Sequence, residues 1–111
     1  MKKSQLYKGS LNIIVLKLLE ENGQMYGYEI TQKVKAITDG VLNITEGALY
    51  PSLHKLEAEG VLEVQEKKVG NRIRKYYKLT QKGTVETANK LAELQQFVIN
   101  MQIIINAKLS F

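Results

Sequence analysis

From Leu11 onward the apolar positions Leu11, Ile14, Val15, Leu18 and Leu19 fall at i, i+3, i+4, i+7 and i+8, the spacing of one helix face. Ser10 stands where an N-cap is needed, and Gly23 where the chain must leave the helix. A second helix follows Tyr26-Gly27-Tyr28-Glu29, with Ile30, Val34 and Ile37 as its stripe and Asp39-Gly40 as its stop. Thr45 as N-cap and Glu46 in the first turn, where a carboxylate complements the helix dipole, open a third helix. Its inward face is Leu49, Leu53 and Leu56, and it ends at Gly60. Pro51 lies inside it without an N–H to return to the Gly47 carbonyl, which predicts a bend or an irregular first turn.

The period then changes. Val61 to Glu66 partly alternates, Ile73 to Leu79 is rich in β formers, and Gly70-Asn71 between them is a turn signal, so the pattern predicts a hairpin. From Thr80 the helical period returns and continues almost to the C-terminus. Within it Leu91, Leu94, Val98, Met101 and Ile105 step by 3, 4, 3 and 4, a heptad seam that Phe97, Ile103 and Ile104 widen. Three short helices, a hairpin and a long last helix predict a mainly α fold with a small β-hairpin. This is a winged helix-turn-helix domain over residues 1–79 and a C-terminal dimerisation helix over 80–111, forming one compact unit. In such a domain the third helix enters the major groove of DNA, while the wing lies against the backbone or minor groove. Repeats, linkers and low-complexity tracts are absent from the sequence.

Composition narrows the function. With 111 residues, 44% hydrophobic and 24% charged, the chain is one small folded domain that buries about 65% of its unfolded surface, and a separate sensor domain is not expected. No cysteine and a single histidine, His54, argue against disulfides, thiolate zinc sites, cysteine nucleophiles and Ser-His-Asp chemistry. Neither an enzyme nor a bound cofactor or metal is expected. No stretch approaches the roughly 20 apolar residues of a membrane span, so the expected location is cytoplasmic, with no membrane partner. The net charge of +5 is local. Lys67, Lys68, Arg72, Arg74, Lys75, Lys78 and Lys82 occupy one segment without an acid, whereas the remainder carries nine positive and eleven negative residues. The cluster falls on the hairpin, where a DNA backbone would meet it.

Four stretches carry a resemblance to a known family. They are Gly9-Ser10-Leu11 leading to Ile14-Val15-Leu16-Lys17-Leu18-Leu19, then Tyr26-Gly27-Tyr28-Glu29-Ile30, then Glu46 to Gly60 with Ala48-Leu49-Tyr50-Pro51-Ser52-Leu53 at its heart, and finally Arg74 to Gly83. In order and spacing, over roughly residues 9 to 83, the chain resembles the PadR family of transcriptional regulators, in its short type with one long C-terminal helix. Ala48 departs from the threonine frequent in that family, a change expected to cost at most one hydroxyl contact and to leave the fold intact. The resemblance implies a homodimeric, sequence-specific DNA-binding repressor released by a small ligand or an environmental signal. In some family members drugs stack on a tryptophan between the C-terminal helices and the domain cores. This chain has no Trp, so that mode does not carry over and any effector is unidentified.

At 100° per residue, Gly47, Pro51, His54 and Ala58 lie opposite the Leu49-Leu53-Leu56 face, flanked by Tyr50 and Lys55. Small Gly47 and Ala48 let the helix start approach the groove, and its free N–H groups suit a phosphate. Tyr50 either packs on the neighbouring helix or meets DNA. Ser52 either contacts phosphate or caps locally, and His54 either donates to a base or phosphate or is solvated. Lys55 either contacts phosphate or reads a base, and the first is expected of a flexible ammonium. In the wing Lys67, Lys68, Arg72, Arg74 and Lys75 are the candidates, with Arg72 beside the tip suited to a narrow minor groove. Alternation puts Ile73, Lys75 and Tyr77 on one face and Arg74, Tyr76 and Lys78 on the other, so the two tyrosines cannot both be core. Tyr7, Tyr26 and Tyr28 are expected to pack with their hydroxyls reaching water or a phosphate, and Thr31 and Gln32 are candidates for touching the DNA backbone. In the last helix Leu91, Leu94, Phe97, Val98, Met101, Ile104 and Ile105 either fold back on their own domain or bury against a second copy, and the second is expected. A two-fold dimer sets its third helices about 34 Å apart and predicts an inverted-repeat operator in double-stranded DNA. The competing reading is a winged-helix protein-interaction adaptor without specific DNA binding.

Overall fold

The computed structural model describes residues 8–108, so the expectation for Tyr7 lies outside the described residues. A 3-10 turn over Lys8–Ser10 leads into α1, Leu11–Asn22. Because that turn already winds the chain, Ser10 has a helical backbone and its side chain makes no capping bond. Gly23, at φ 80°, ends α1 by donating its N–H to the Leu19 carbonyl. Val15, Leu16, Leu18 and Leu19 are buried, while Leu11 and Ile14 sit at the margin of the core.

Gln24–Tyr26 forms a short strand, β1, which the sequence pattern did not predict. Helix α2 follows at once over Gly27–Ile37, with the Glu29 carboxylate accepting the Tyr26 N–H at 3.1 Å. Ile30 and Val34 are buried as expected, but Ile37 at the helix end is 64% exposed. The chain turns away there. Thr38 donates its hydroxyl to the Val34 carbonyl and accepts the Leu42 N–H, and Asp39 and Gly40 take positive φ. Leu42 and Ile44 of this loop, instead of Ile37, pack against the core.

Helix α3 spans Glu46–Ala58 and starts at Thr45, whose Oγ1 accepts the Ala48 N–H at 3.2 Å. It runs through Pro51 without interruption, and the carbonyl that loses its helical partner belongs to solvent-exposed Gly47. The first turn is tightened, since the Thr45 carbonyl accepts both Ala48 N–H at 3.2 Å and Leu49 N–H at 3.0 Å. The C-terminal end closes by a Schellman motif: Val61 N–H bonds the Leu56 carbonyl and Gly60 N–H the Glu57 carbonyl, with Gly60 at φ 77°.

The hairpin consists of β2, Leu62–Val69, and β3, Arg72–Leu79, joined by Gly70-Asn71 with Gly70 at φ 61°. Because β1 pairs with β3, the sheet has three antiparallel strands in the order β1-β3-β2. Met25 lies opposite Tyr77 and Tyr26 opposite Tyr76. Tyr77 is in the core and Tyr76 is half-buried on the other face, as alternation required.

Helix α4, Gln81–Asn106, has 26 residues and a length of about 39 Å. Its start is keyed to the end of α3. Thr80 Oγ1 accepts the Gly83 N–H at 3.0 Å and donates to the Gly60 carbonyl at 2.6 Å, while Lys82 Nζ reaches the Glu59 carbonyl at 2.8 Å. Gly83 has no alternative, because a Cβ there would lie 2.0 Å from the Val61 carbonyl oxygen. The far part of α4 extends from the domain, giving dimensions of 66 × 30 × 20 Å. Among the described residues no helix is long and apolar enough to cross a membrane.

Candidate nucleic-acid interface

The side of α3 opposite Leu49, Leu53 and Leu56 presents Gly47, Ala48, Tyr50, His54 and Lys55 to solvent. The Tyr50 ring also packs over α2: a Cβ at Gly27 would stand 2.6 Å from its hydroxyl. That contact, together with the His54 ring 6.3 Å away, gives Tyr50 a fixed place on an otherwise small-residue surface. Ser52 does not belong to this face. It is buried, and its hydroxyl donates to Asn12 Oδ1 of α1, so it joins two helices inside the domain and is withdrawn from any phosphate. Thr31 is likewise buried and donates to the Tyr28 carbonyl, whereas Gln32 is exposed.

The seven cations of the 67–82 segment do not act alike. Lys78 is compensated by Glu63 across the ladder at 3.2 Å, and Lys82 is occupied at the α3–α4 joint. Lys67, Lys68, Arg72, Arg74 and Lys75 remain on the outer part of the hairpin. Directly opposed residues share a face, so Lys67, Arg72 and Arg74 lie on one side of the ribbon and Lys68 and Lys75 on the other. Lys68, Arg72 and Lys75 are exposed. Lys67 and Arg74 are half-buried against rings: Lys67 Nζ stands 4.9 Å from the Tyr76 centroid, and the Arg74 guanidinium 4.0 Å from the Tyr26 centroid. Arg74 also donates to the Tyr76 hydroxyl at 3.4 Å, a bond that raises its pKa above the usual value.

An open cleft of about 610 Å³ brings these parts together, lined by Tyr26, Gly27 and Tyr28 from the start of α2, Glu46 and Tyr50 from α3, and Arg72 to Lys75 from the wing. Tyr28 was expected to pack, yet it is 51% exposed at the cleft rim. The role of Tyr26 beside Arg74 was also not visible in the sequence. The β3 alternation already put Arg74 and Tyr76 on one face; the missing piece was the three-residue β1, too short to show a period.

Helix α4 divides in two. Leu91 and Leu94 are half-buried within the single chain, whereas Phe97, Val98, Met101, Ile104 and Ile105 are exposed, with Ile99 and Ile103 beside them. The outer seam therefore does not fold back on its own domain.

The family model of PadR-like transcriptional regulators matches residues 15–89. The transcriptional regulator Rv3488 of Mycobacterium tuberculosis is 28% identical, with 88% of this chain and 91% of that protein covered. A solved transcriptional regulator from Clostridium thermocellum is 32% identical, with 91% of this chain and 97% of that one covered at a TM-score of 0.76. Bacillus subtilis PadR, solved in complex with operator DNA, is 30% identical over 74% of this chain and 45% of its own, at a TM-score of 0.67. With a family match over more than half of its length and a winged-helix fold shared with these regulators, this chain belongs to the PadR-like family of transcriptional regulators.

Proposed function

We propose that this regulator binds double-stranded DNA as a two-fold homodimer, with α3 in the major groove and the basic wing against the adjacent backbone or minor groove. The observation that carries the reading is the convergence of the α3 start and four wing residues, Arg72 to Lys75, on one cleft. Gly47 and Ala48 at the α3 start keep side chains out of the way of a groove wall, and the first-turn N–H groups that the Thr45 cap does not take, those of Glu46 and Gly47, suit a phosphate. Exposed Lys68, Arg72 and Lys75 supply charge to the backbone, Lys55 adds a further cation on α3, and His54 and Tyr50 are the groups that reach base edges or sugars. The operator-bound relative supports DNA as the ligand class.

The exposed stripe from Phe97 to Ile105 supports a second copy as the partner of α4, since a monomer rarely leaves so continuous an apolar surface in water. Such a dimer fits an inverted-repeat operator with half-sites about one helical turn apart. Repression released by a small ligand or an environmental signal is the regulatory mode that the family resemblance suggests. Fluorescence anisotropy of a duplex from the gene's own upstream region, over a salt series and beside a scrambled duplex, tests the reading. Preference for the native duplex with affinity falling steeply in salt is expected. Equal affinity for both sinks sequence specificity, and no salt-sensitive binding to either favours a protein-interaction adaptor.

A further inference from the structure

Strand β1 ends at Tyr26, opposite Tyr76, so residues 72–75 of β3 are paired on one side only, by β2. A two-stranded ribbon is marginally stable by itself. The overhang nevertheless carries Arg72 and Lys75 into the cleft beside α3, and a charge on a swinging arm loses affinity each time it must be reordered. Something has to hold the arm.

The contacts that do so lie on its outer face. Tyr26 meets Tyr76 edge-on at 5.5 Å between centroids, and Arg74, two residues further along the overhang, lays its guanidinium 4.0 Å over the Tyr26 ring. Arg74 donates to Tyr76, and Lys67, directly opposite Arg74, covers the other ring. Tyr26 is itself tied to the start of α2, since its backbone enters that helix as the N-cap and its N–H is held by Glu29. The Tyr76 hydroxyl chiefly, and the Glu29 carboxylate more weakly, favour the charged guanidinium in this position.

We propose that Tyr26 is a positioning residue: by holding the Arg74 guanidinium it fixes the wing's angle to α3, and Arg74 serves this brace, not a phosphate. The inference rests on the DNA-binding reading only for its effect on affinity; the ordering of the wing is independent of it.

The test compares Tyr26→Phe, which keeps the ring face, with Tyr26→Leu, which keeps a smaller apolar side chain and removes the π system; neither changes the charge. Amide hydrogen exchange of the full chain is followed beside anisotropy of the upstream duplex over a salt series. In Tyr26→Leu, exchange over residues 66–75 rises about tenfold while the α1 and α3 amides stay protected. Duplex affinity falls about tenfold with the salt slope unchanged, because no cation is lost. Tyr26→Phe matches the unsubstituted protein in both readouts. Where Tyr26→Leu loosens α1 as well, Arg74→Met removes the cation and keeps the stem, and the same local loosening is expected. An overhang that exchanges normally in Arg74→Met or Tyr26→Leu, or a Tyr26→Phe variant as impaired as Tyr26→Leu, overturns the proposal. Failure of the unsubstituted protein to bind the duplex overturns the DNA reading instead, and the exchange data then decide the brace alone.

Discussion

In the winged head, Leu49, Leu53, Val61 and Ile30 have no solvent-exposed surface, and the polar cleft lies to one side of that core. Along the outer half of α4 the residue types are much the same, but Phe97, Ile104 and Ile105 are 59%, 65% and 73% exposed. Both regions are apolar in sequence, and only one of them is satisfied by its own chain. The difference teaches that the head satisfies its apolar residues within one chain, whereas the outer helix leaves the same residue types in the open.

The largest expected effect breaks the joint between the two regions. Gly83→Ala drives a methyl group into the Val61 carbonyl and lowers stability by about 3 kcal/mol or more, read as a fall in the urea midpoint. Within the head, Leu53→Ala costs about 3 kcal/mol, and the same cost is expected at every protein concentration. Ile105→Ala sharpens the contrast. For a residue so exposed the change stays within about 0.5 kcal/mol in a monomer, so a midpoint that shifts at high protein concentration and vanishes on dilution marks a covered seam. Thr45→Ala, which deletes the cap on the Ala48 N–H, costs about 1 kcal/mol and frays the start of α3. The smallest effect is alkaline. Burial first, and the Glu57 carboxylate second, raise the Tyr77 pKa above its ordinary value. Its neutral form is thus favoured in the fold. The associated stability is complete below the unfolded tyrosine pKa of about 10 and declines above it, where the unfolded chain loses its proton first. Tyr77→Phe is expected to remove that part of the high-pH decline in the urea midpoint.

Much of the head was legible because periodicity and burial coincide. Leu49, Leu53 and Leu56 follow one helix face, Gly70-Asn71 turns the hairpin, and Tyr76 and Tyr77 separate by alternation. What escaped were features decided by tertiary contact. Three residues cannot display a strand period, so β1 emerged only through its pairing with β3. Ser52 looks like a surface hydroxyl until Asn12 is found opposite it, forty positions away in the chain. Ile37 continues the α2 stripe on paper, but the turn at Asp39-Gly40 brings Leu42 and Ile44 to the core in its stead. Of the site, residue types were readable and their division of labour was not. Five wing cations look equivalent in sequence, yet two of them lean on tyrosine rings.

That division gives the most direct test of the account. The slope of log affinity against log salt, measured on the upstream duplex, is compared between the unsubstituted protein and the Lys68→Ala/Arg72→Ala/Lys75→Ala variant. Each lost phosphate contact lowers the magnitude of the slope by about 0.9, so a reduction of about 2 to 3 per protomer is predicted. A slope that stays the same would contradict the assignment of the wing to DNA.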